Sequence, residues 1–331
     1  FKADELSSLA VSKPVIENPE LIRVRLNIDG ERRLVSYDES PPIRKMRENV
    51  AFINSVIARQ WYDLELTDAE FLELEDRMHN RSLERNEGDG RLRLHDRHLY
   101  RVFNSLDFDK GGRFYGGWWE GIPSEYRAKL LINGKRTEEL DFGSLHPTIL
   151  YAKHGLALPK DAYEISVRPT KFPKGKSIVD FRKVVKRAFN AMLNAEKRLH
   201  APPRELALHE WGTKWGELVQ AIEDQHAPIA TEFFSGVGLR LQCEDSQIAE
   251  QLMIQFAQAN GMVPLLPVHD SFICHHGYAE EVREMMVMSF KELFGVKVKV
   301  SEVKDVPPQR FKEEDSDFDS LFNYTDMSYS W

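Results

Sequence analysis

One stretch limits the folds open to this 331-residue chain more than any other: Pro264-Leu265-Leu266-Pro267-Val268-His269-Asp270-Ser271-Phe272-Ile273-Cys274. Two short apolar runs flank a His-Asp pair, a pattern that predicts a hairpin of two brief strands with a carboxylate at its turn. A lone turn Asp is ordinarily just solvated, and tripeptides of this kind are common. Asp270 acquires chemical meaning only if a second carboxylate elsewhere in the chain can share a metal ion with it.

Asp141 is the candidate. Residues 129–140 read as a hairpin turning at Asn133-Gly134, a dipeptide suited to left-handed turn positions. Its second strand delivers Asp141 in Leu140-Asp141-Phe142-Gly143-Ser144-Leu145-His146-Pro147, ahead of the apolar run Ile149-Leu150-Tyr151-Ala152. An Asp at a strand end, beside a Gly that lets backbone approach a ligand, suits a hard cation shared with phosphate oxygens. Asp141 and Asp270 together supply the minimum protein contribution to a two-metal phosphoryl-transfer site. In such a site two Mg²⁺ ions about 3.5–4 Å apart serve the attacking and the leaving oxygen.

These residues carry a resemblance. Val268 to Phe272 resembles the third palm motif (motif C) of phage-type single-subunit RNA polymerases and is similar to the His-Asp-Glu form of family A DNA polymerases. Asp141 to Pro147 resembles the first palm motif (motif A), in a form shared as much with family B as with family A enzymes. Between them, Phe181 to Ala195 resembles the fingers helix (motif B), with Arg182 and Lys186 one turn apart on one face. Asn194-Ala195 stand where that group carries Tyr or Phe followed by Gly, and a family B register would instead stress Lys186 and Asn190. Leu241-Gln242-Cys243-Glu244-Asp245-Ser246, with the amphipathic segment to Asn260, looks like the helix that precedes motif C. The motifs follow the order of the group, and the resemblance covers roughly residues 100–300.

The resemblance implies an α+β polymerase right hand with an antiparallel palm sheet, small fingers and a reduced thumb. The expected divisions are an N-terminal arm and hairpin (1–41), a helical thumb-like region (42–104), a first palm segment with motif A (105–152), fingers (153–235), a second palm segment with motif C (236–305) and an acidic tail (306–331). It implies template-dependent nucleotidyl transfer with two Mg²⁺ ions, for which Mn²⁺ can substitute, held by Asp141 and Asp270. Nucleoside triphosphate would meet Arg182, Lys186, Asn190, Asn194 and His146; the DNA primer-template would meet Gln242 and His269. His146 stands where resembling DNA polymerases place a bulky side chain against a 2′-hydroxyl and phage RNA polymerases place Gly, which favours deoxynucleotides. Asn194 is able to hydrogen-bond a ribose hydroxyl, so a primase or RNA polymerase using NTPs stays open. So does a palm-derived nucleic-acid-binding module without catalysis. A metal-dependent nuclease has less to recommend it, with only two acidic ligands in evidence.

Elsewhere the residues speak for themselves. Residues 1–20 are polar and read as an arm; Leu21 to Ile28 alternates with period two and, through Asp29-Gly30, predicts a hairpin with Arg33 to Tyr37. Helices are expected from Pro42 to Trp61, from a Thr67 N-cap onward, and over His95 to Phe103. Lys110-Gly111-Gly112-Arg113-Phe114-Tyr115 interleaves glycines, rings and cations, which suits a nucleic-acid backbone and makes Lys110 and Arg113 template or primer contacts. Residues 153–176 form a connection, Pro202-Pro203 are expected to break the fingers helix, and Trp211 and Trp215 read as core on one helical face. After the Asp270 hairpin a helix over Glu280 to Leu293 and a closing strand over Val296 to Val300 complete the layer.

A net charge of −8 argues against a uniformly positive surface, yet Lys and Arg gather between Lys171 and Arg204, consistent with one basic wall of a cleft. No apolar run is long enough to span a membrane. Two cysteines suggest a reducing cytoplasm, in a bacterial cell or phage-infected host, and not a disulfide scaffold. The length leaves no room for a separate proofreading nuclease, as expected of a phage or mobile-element enzyme. The acidic, aromatic tail offers Leu321-Phe322 as anchors for a primase, helicase or other replication partner.

Overall fold

A computed structural model describes residues 20–85 and 90–303. The expected N-terminal arm, apart from Glu20, and the C-terminal tail with Leu321-Phe322 lie outside the described residues.

Strand β1 (Ile22–Ile28) turns at Asp29-Gly30, both with positive φ, into β2 (Glu31–Val35), the hairpin expected from the alternation. Helix α1 (Pro41–Ala58) opens on a pair of prolines and buries Ile43, Val50, Ile53 and Ile57, spaced to form one stripe. After β3 (Tyr62–Leu64), helix α2 (Asp68–Arg85) begins with a reciprocal cap. The Glu70 amide donates to the Thr67 hydroxyl at 3.3 Å and the Thr67 amide to the Glu70 carboxylate at 2.8 Å.

The helix expected over His95 to Phe103 is instead β4 (Arg97–Phe103). Its apolar Leu99, Val102 and Phe103 satisfy a helical spacing as well as a strand's, so periodicity alone does not decide. Pairing does: β4 runs parallel to β1 and antiparallel to β5 (Gly111–Gly117), giving a sheet of order β2-β1-β4-β5. The Gly-rich stretch is therefore mostly strand.

Two short helices, α3 (Trp118–Gly121) and α4 (Ser124–Arg127), lead to β6 (Leu130–Ile132) and β7 (Lys135–Gly143), joined at Asn133-Gly134 with φ of 52° and 73°. Then come α5 (Leu145–Lys153), α6 (Ile178–Asn194), α7 (Leu208–Trp211), α8 (Trp215–Gln225) and α9 (Gly238–Ala259). The described residues end with β8 (Leu266–Val268), β9 (Ser271–His275), α10 (Ala279–Phe294) and β10 (Lys299–Glu302), the last displaced a few residues from the strand expected at Val296. The second sheet has the order β3-β6-β7-β9-β8, with β10 also pairing β7, beyond β6 along the same edge, and every pairing is antiparallel. The architecture is α+β with an antiparallel sheet, as expected.

Alternation along β7 sorts its side chains. Leu140 and Phe142 are buried, and the Phe142 ring lies 6.2 Å from both Phe272 on β9 and Phe290 on α10. Helix α10 thus covers one face of the sheet, and Asp141 falls on the other.

Two expectations about the middle of the chain are corrected. Helix α6 ends at Asn194, well before Pro202-Pro203, because a neighbouring loop takes over its carbonyls. Phe234 donates to Met192 O at 2.6 Å and Gly236 to Ala195 O at 2.9 Å. Trp211 and Trp215 are buried as core but share no helix face, since Gly212 at φ 59° separates α7 from α8. Cys243 and Cys274 are buried free thiols.

Candidate active site

Sheet register brings the two carboxylates together. In the β7–β9 ladder Asp141 stands opposite Ser271, and residues so paired have Cβ atoms about 4.5–5.5 Å apart. Asp270 precedes Ser271 in the turn, and its carbonyl accepts the Phe142 amide at 3.2 Å. Val268 pairs with Ser271, so the β8–β9 loop is His269-Asp270 alone. Such a loop demands left-handed backbone, and His269 supplies it at φ 55°. Ser144, at φ 54°, does the same where β7 gives way to α5. Two non-glycine residues in this conformation, each costing about 1–2 kcal/mol, therefore flank the carboxylates, a pattern common at ligand sites.

The electrostatics follow from the packing. Burial pushes the Asp141 carboxyl up to about 8; Asp270 and, less strongly, Glu139 push in the same direction, while Lys186 on α6 opposes them. Glu139 is itself held by Arg127, at 2.9 and 3.1 Å, and by the Ser271 hydroxyl at 2.6 Å. Ser144, His146, Tyr163, Lys186, Asn190 and Asp270 line a small, narrow cleft. Tyr163 arrives from the loop before α6 and packs edge-on against Phe189 at 5.8 Å.

A second charge cluster lies behind this wall, on a residue the sequence did not single out. Asp245 on α9 is almost wholly enclosed. It accepts from Arg113 on β5, at 3.2 Å from Nε and 2.6 Å from Nη2, and lies 2.9 Å from His146 Nε2. Burial works against its negative charge, but Arg113 and His146 more than offset this and hold its carboxyl below the usual carboxylate range. Ser246 and Glu250, four positions apart and so on one face of α9, bond the buried Arg101 of β4.

The expected site residues therefore divide. Asp141, Asp270, His146, Lys186 and Asn190 come together, with His269 forming the turn. Arg182 is one turn from Lys186, but its guanidinium is engaged by Asp161 at 2.6 and 2.8 Å and lies 5.0 Å over the Tyr163 ring. Asn194 faces the protein interior: its amide donates to Asn190 O at 2.8 Å. Gln242 is buried on α9. Lys110 stands at the start of β5, where its carbonyl accepts the Asn104 amide at 2.9 Å. Arg113 requires correction: it is enclosed and directed at Asp245, so its guanidinium is not at a surface where template or primer could meet it.

Among the described residues no group of three or more His, Cys, Asp and Glu side chains could hold a metal by itself. A pair of carboxylates still suits Mg²⁺, which dehydrates reluctantly and is usually bound by one or two carboxylates with substrate phosphates and water. The raised Asp141 points the same way, since a cation between the two carboxylates would relieve their repulsion. No helix among the described residues is long and apolar enough to cross a membrane.

No family model matches the sequence, and no curated protein matches it. Among solved structures the chain is similar to the POL domain of Pol1 from M. smegmatis, in complex with DNA primer-template and dNTP. That match has a TM-score of 0.36 and 14% identity, over 67% of this chain and 49% of that one. The chain thus spans about half the length of that structure, and a likeness this slight assigns neither fold nor function.

Proposed function

We propose that this chain is a template-dependent nucleotidyl transferase of polymerase right-hand type, acting on a DNA primer-template with deoxynucleoside triphosphates. One observation carries the reading: two carboxylates from motifs far apart in sequence meet across a strand pair, with Lys186 of the expected fingers helix near enough to act on the Asp141 charge and Asn190 lining the same cleft as Asp270. Asp141 and Asp270 would hold two Mg²⁺ ions. When bound, the ions lower the charge on the triphosphate and activate the primer 3′-oxygen for attack on the α-phosphorus, with pyrophosphate leaving.

The chain's own residues position the reactants, which is most of what phosphoryl transfer asks of a protein. Lys186 brings a positive charge to the cleft that Asp270 lines, where triphosphate oxygens would lie. Asn190, one turn further along α6, offers an amide to the nucleotide. His269 fixes the turn that presents Asp270 and would stand at the primer end. His146 forms the wall toward the sugar. Arg182 would join the triphosphate by exchanging Asp161 for it, a charge-assisted swap between two anionic partners.

The test is extension of a labelled DNA primer on a DNA template with Mg²⁺, comparing dNTPs with NTPs. Wild-type extension should be lost in Asp141→Ala and in Asp270→Ala, each by several orders of magnitude, because removing a charge aimed at the transition state costs several kcal/mol. Extension by Asp270→Ala near the wild-type rate would refute the assignment. Preference for NTPs would make the enzyme a primase or RNA polymerase.

A further inference from the structure

We propose that Asp245 is a positioning residue for sugar selection: with Arg113 it locks the His146 ring in the orientation that discriminates deoxynucleotides from ribonucleotides. The inference rests on the nucleotidyl-transferase reading and adds to it a residue that never meets substrate. His146 lines the cleft, and its polar tip is tied to a buried ion pair. Its ring could otherwise swing about its two side-chain torsions, and a wall that swings cannot exclude one hydroxyl.

The hydrogen-bond network specifies how the ring is held. An ionised Asp accepts and cannot donate, so His146 Nε2, 2.9 Å from Asp245 Oδ2, must carry a proton. That fixes Nε2 as a donor and the ring's rotation with it. Asp245 cannot drift in response, because Arg113 grips the same oxygen, Oδ2, from Nη2 at 2.6 Å and from Nε at 3.2 Å. Each of the three residues comes from a different element: His146 from α5, Asp245 from α9 and Arg113 from β5. The wall is thus braced by both the carboxylate-bearing layer and the first sheet. All three side chains are less than a tenth exposed, which strengthens the charge interactions relative to water. Sugar discrimination needs such rigidity, since it depends on penalising the wrong substrate and not on an added attraction.

Single-nucleotide incorporation measures this directly, as the ratio of kcat/KM for a dNTP to that for the matching NTP. Asp245→Asn keeps the shape but removes the charge that holds the ring. The ratio should fall about tenfold, with deoxynucleotide incorporation persisting and the change residing mainly in a gain of ribonucleotide use. His146→Ala should lower the ratio at least as far, and the double variant should match His146→Ala alone, because Asp245 acts only through His146. Arg113→Lys, which keeps the charge but loses the two-nitrogen grip, should give a smaller fall and serves if Asp245→Asn does not fold. Ring ¹⁵N spectra supply an independent readout: His146 should show a single Nε2-protonated tautomer in the wild type and a mixture in Asp245→Asn.

An active, folded Asp245→Asn with the wild-type ratio and a single ring tautomer would overturn the positioning role while leaving the transferase reading intact. An additive loss in the double variant would also overturn it, showing that Asp245 acts by another route. A wild type that extends no primer with any nucleotide removes the transferase reading, and the inference with it.

Discussion

At the scale of single residues the site is a local conflict kept in place by its surroundings. Asp141 retains its proton up to about pH 8, against 3.8 for an ordinary Asp, because burial and the neighbouring Asp270 both disfavour its charge. The sign of the linkage follows. Between about pH 4 and pH 8 the folded chain holds a proton that the unfolded chain has released, so stability falls as pH rises through that window and levels off above it. Metal-free wild type should show this fall in urea titrations at a series of pH values, and Asp141→Asn should lack most of it. Mg²⁺ should restore stability chiefly at the alkaline end, since a cation binds the ionised pair and competes with the proton. His269 makes a second residue-scale prediction. Its φ of 55° costs about 1–2 kcal/mol, so His269→Gly should leave stability level or higher by up to about 1 kcal/mol, less the contacts of the lost ring. If His269 positions the primer end, the same variant should still lose activity. Asp141 and Asp270 were legible in sequence because each sits in a strand-and-turn pattern that is entirely local. Asp245 was not, because its partners are 132 and 99 positions away and a carboxylate in an amphipathic helix reads as solvated. Arg113 failed for the mirrored reason: a cation among glycines and rings looks the same exposed or buried, and only Asp245 decides between them.

Among elements, the helices and hairpins with strong local signals fell where the sequence put them. The Asn133-Gly134 and His269-Asp270 turns and the Thr67 cap are each specified by residues within a few positions of one another. The failures came where partners outside the segment decide. β4 became a strand through β1 and β5, and α6 stopped at Asn194 because the loop at Phe234–Gly236 receives its last carbonyls. Helices α6 and α9 pack closely at Gly238. A Cβ placed on Gly238 would stand 1.9 Å from Asn194 Oδ1 and 2.7 Å from its Cγ. Asn194 Oδ1 is buried with no hydrogen-bond partner among the described residues, while the nitrogen of the same amide is tied to Asn190 O, so the group has little freedom to move away. Gly238→Ala should therefore cost about 1–3 kcal/mol by overpacking, seen as a lower denaturant midpoint. Asn194→Ala should recover part of that loss in the double variant, because it removes the two atoms in collision.

At the scale of the molecule, α9 is the member that ties the first sheet to α1 and to α5, the helix that follows the Asp141-bearing strand. Its Glu250 bonds Arg101 of β4 and, at 2.5 Å, the Asn49 amide of α1, while its Asp245 reaches β5 and α5. Arg101 is 1% exposed and donates also to Gly112 O and the Ser246 hydroxyl, both at 2.7 Å. Burial alone lowers the affinity of that guanidinium for its proton, and Glu250 works against the loss. A buried ion pair is weak evidence of net stabilisation, since both charges were taken from water, but removing one partner leaves the other uncompensated. Glu250→Ala should accordingly cost about 3–5 kcal/mol, whereas a surface pair such as Arg33 with Glu31 should cost less than about 1 kcal/mol. The form of the transition carries the larger argument. One contiguous apolar core runs from β1 through α6 to α10, so the first sheet should not unfold ahead of the carboxylate-bearing layer. Urea titration of Glu250→Ala should then give a single transition with a lower midpoint and the wild-type slope, because the slope follows the surface exposed on unfolding. A separate early transition in the variant would mean that the first sheet is a unit held to the rest mainly by these charges. In that case the brace on His146 through Arg113 would loosen whenever that unit opens, and sugar selection would weaken with temperature sooner than activity does.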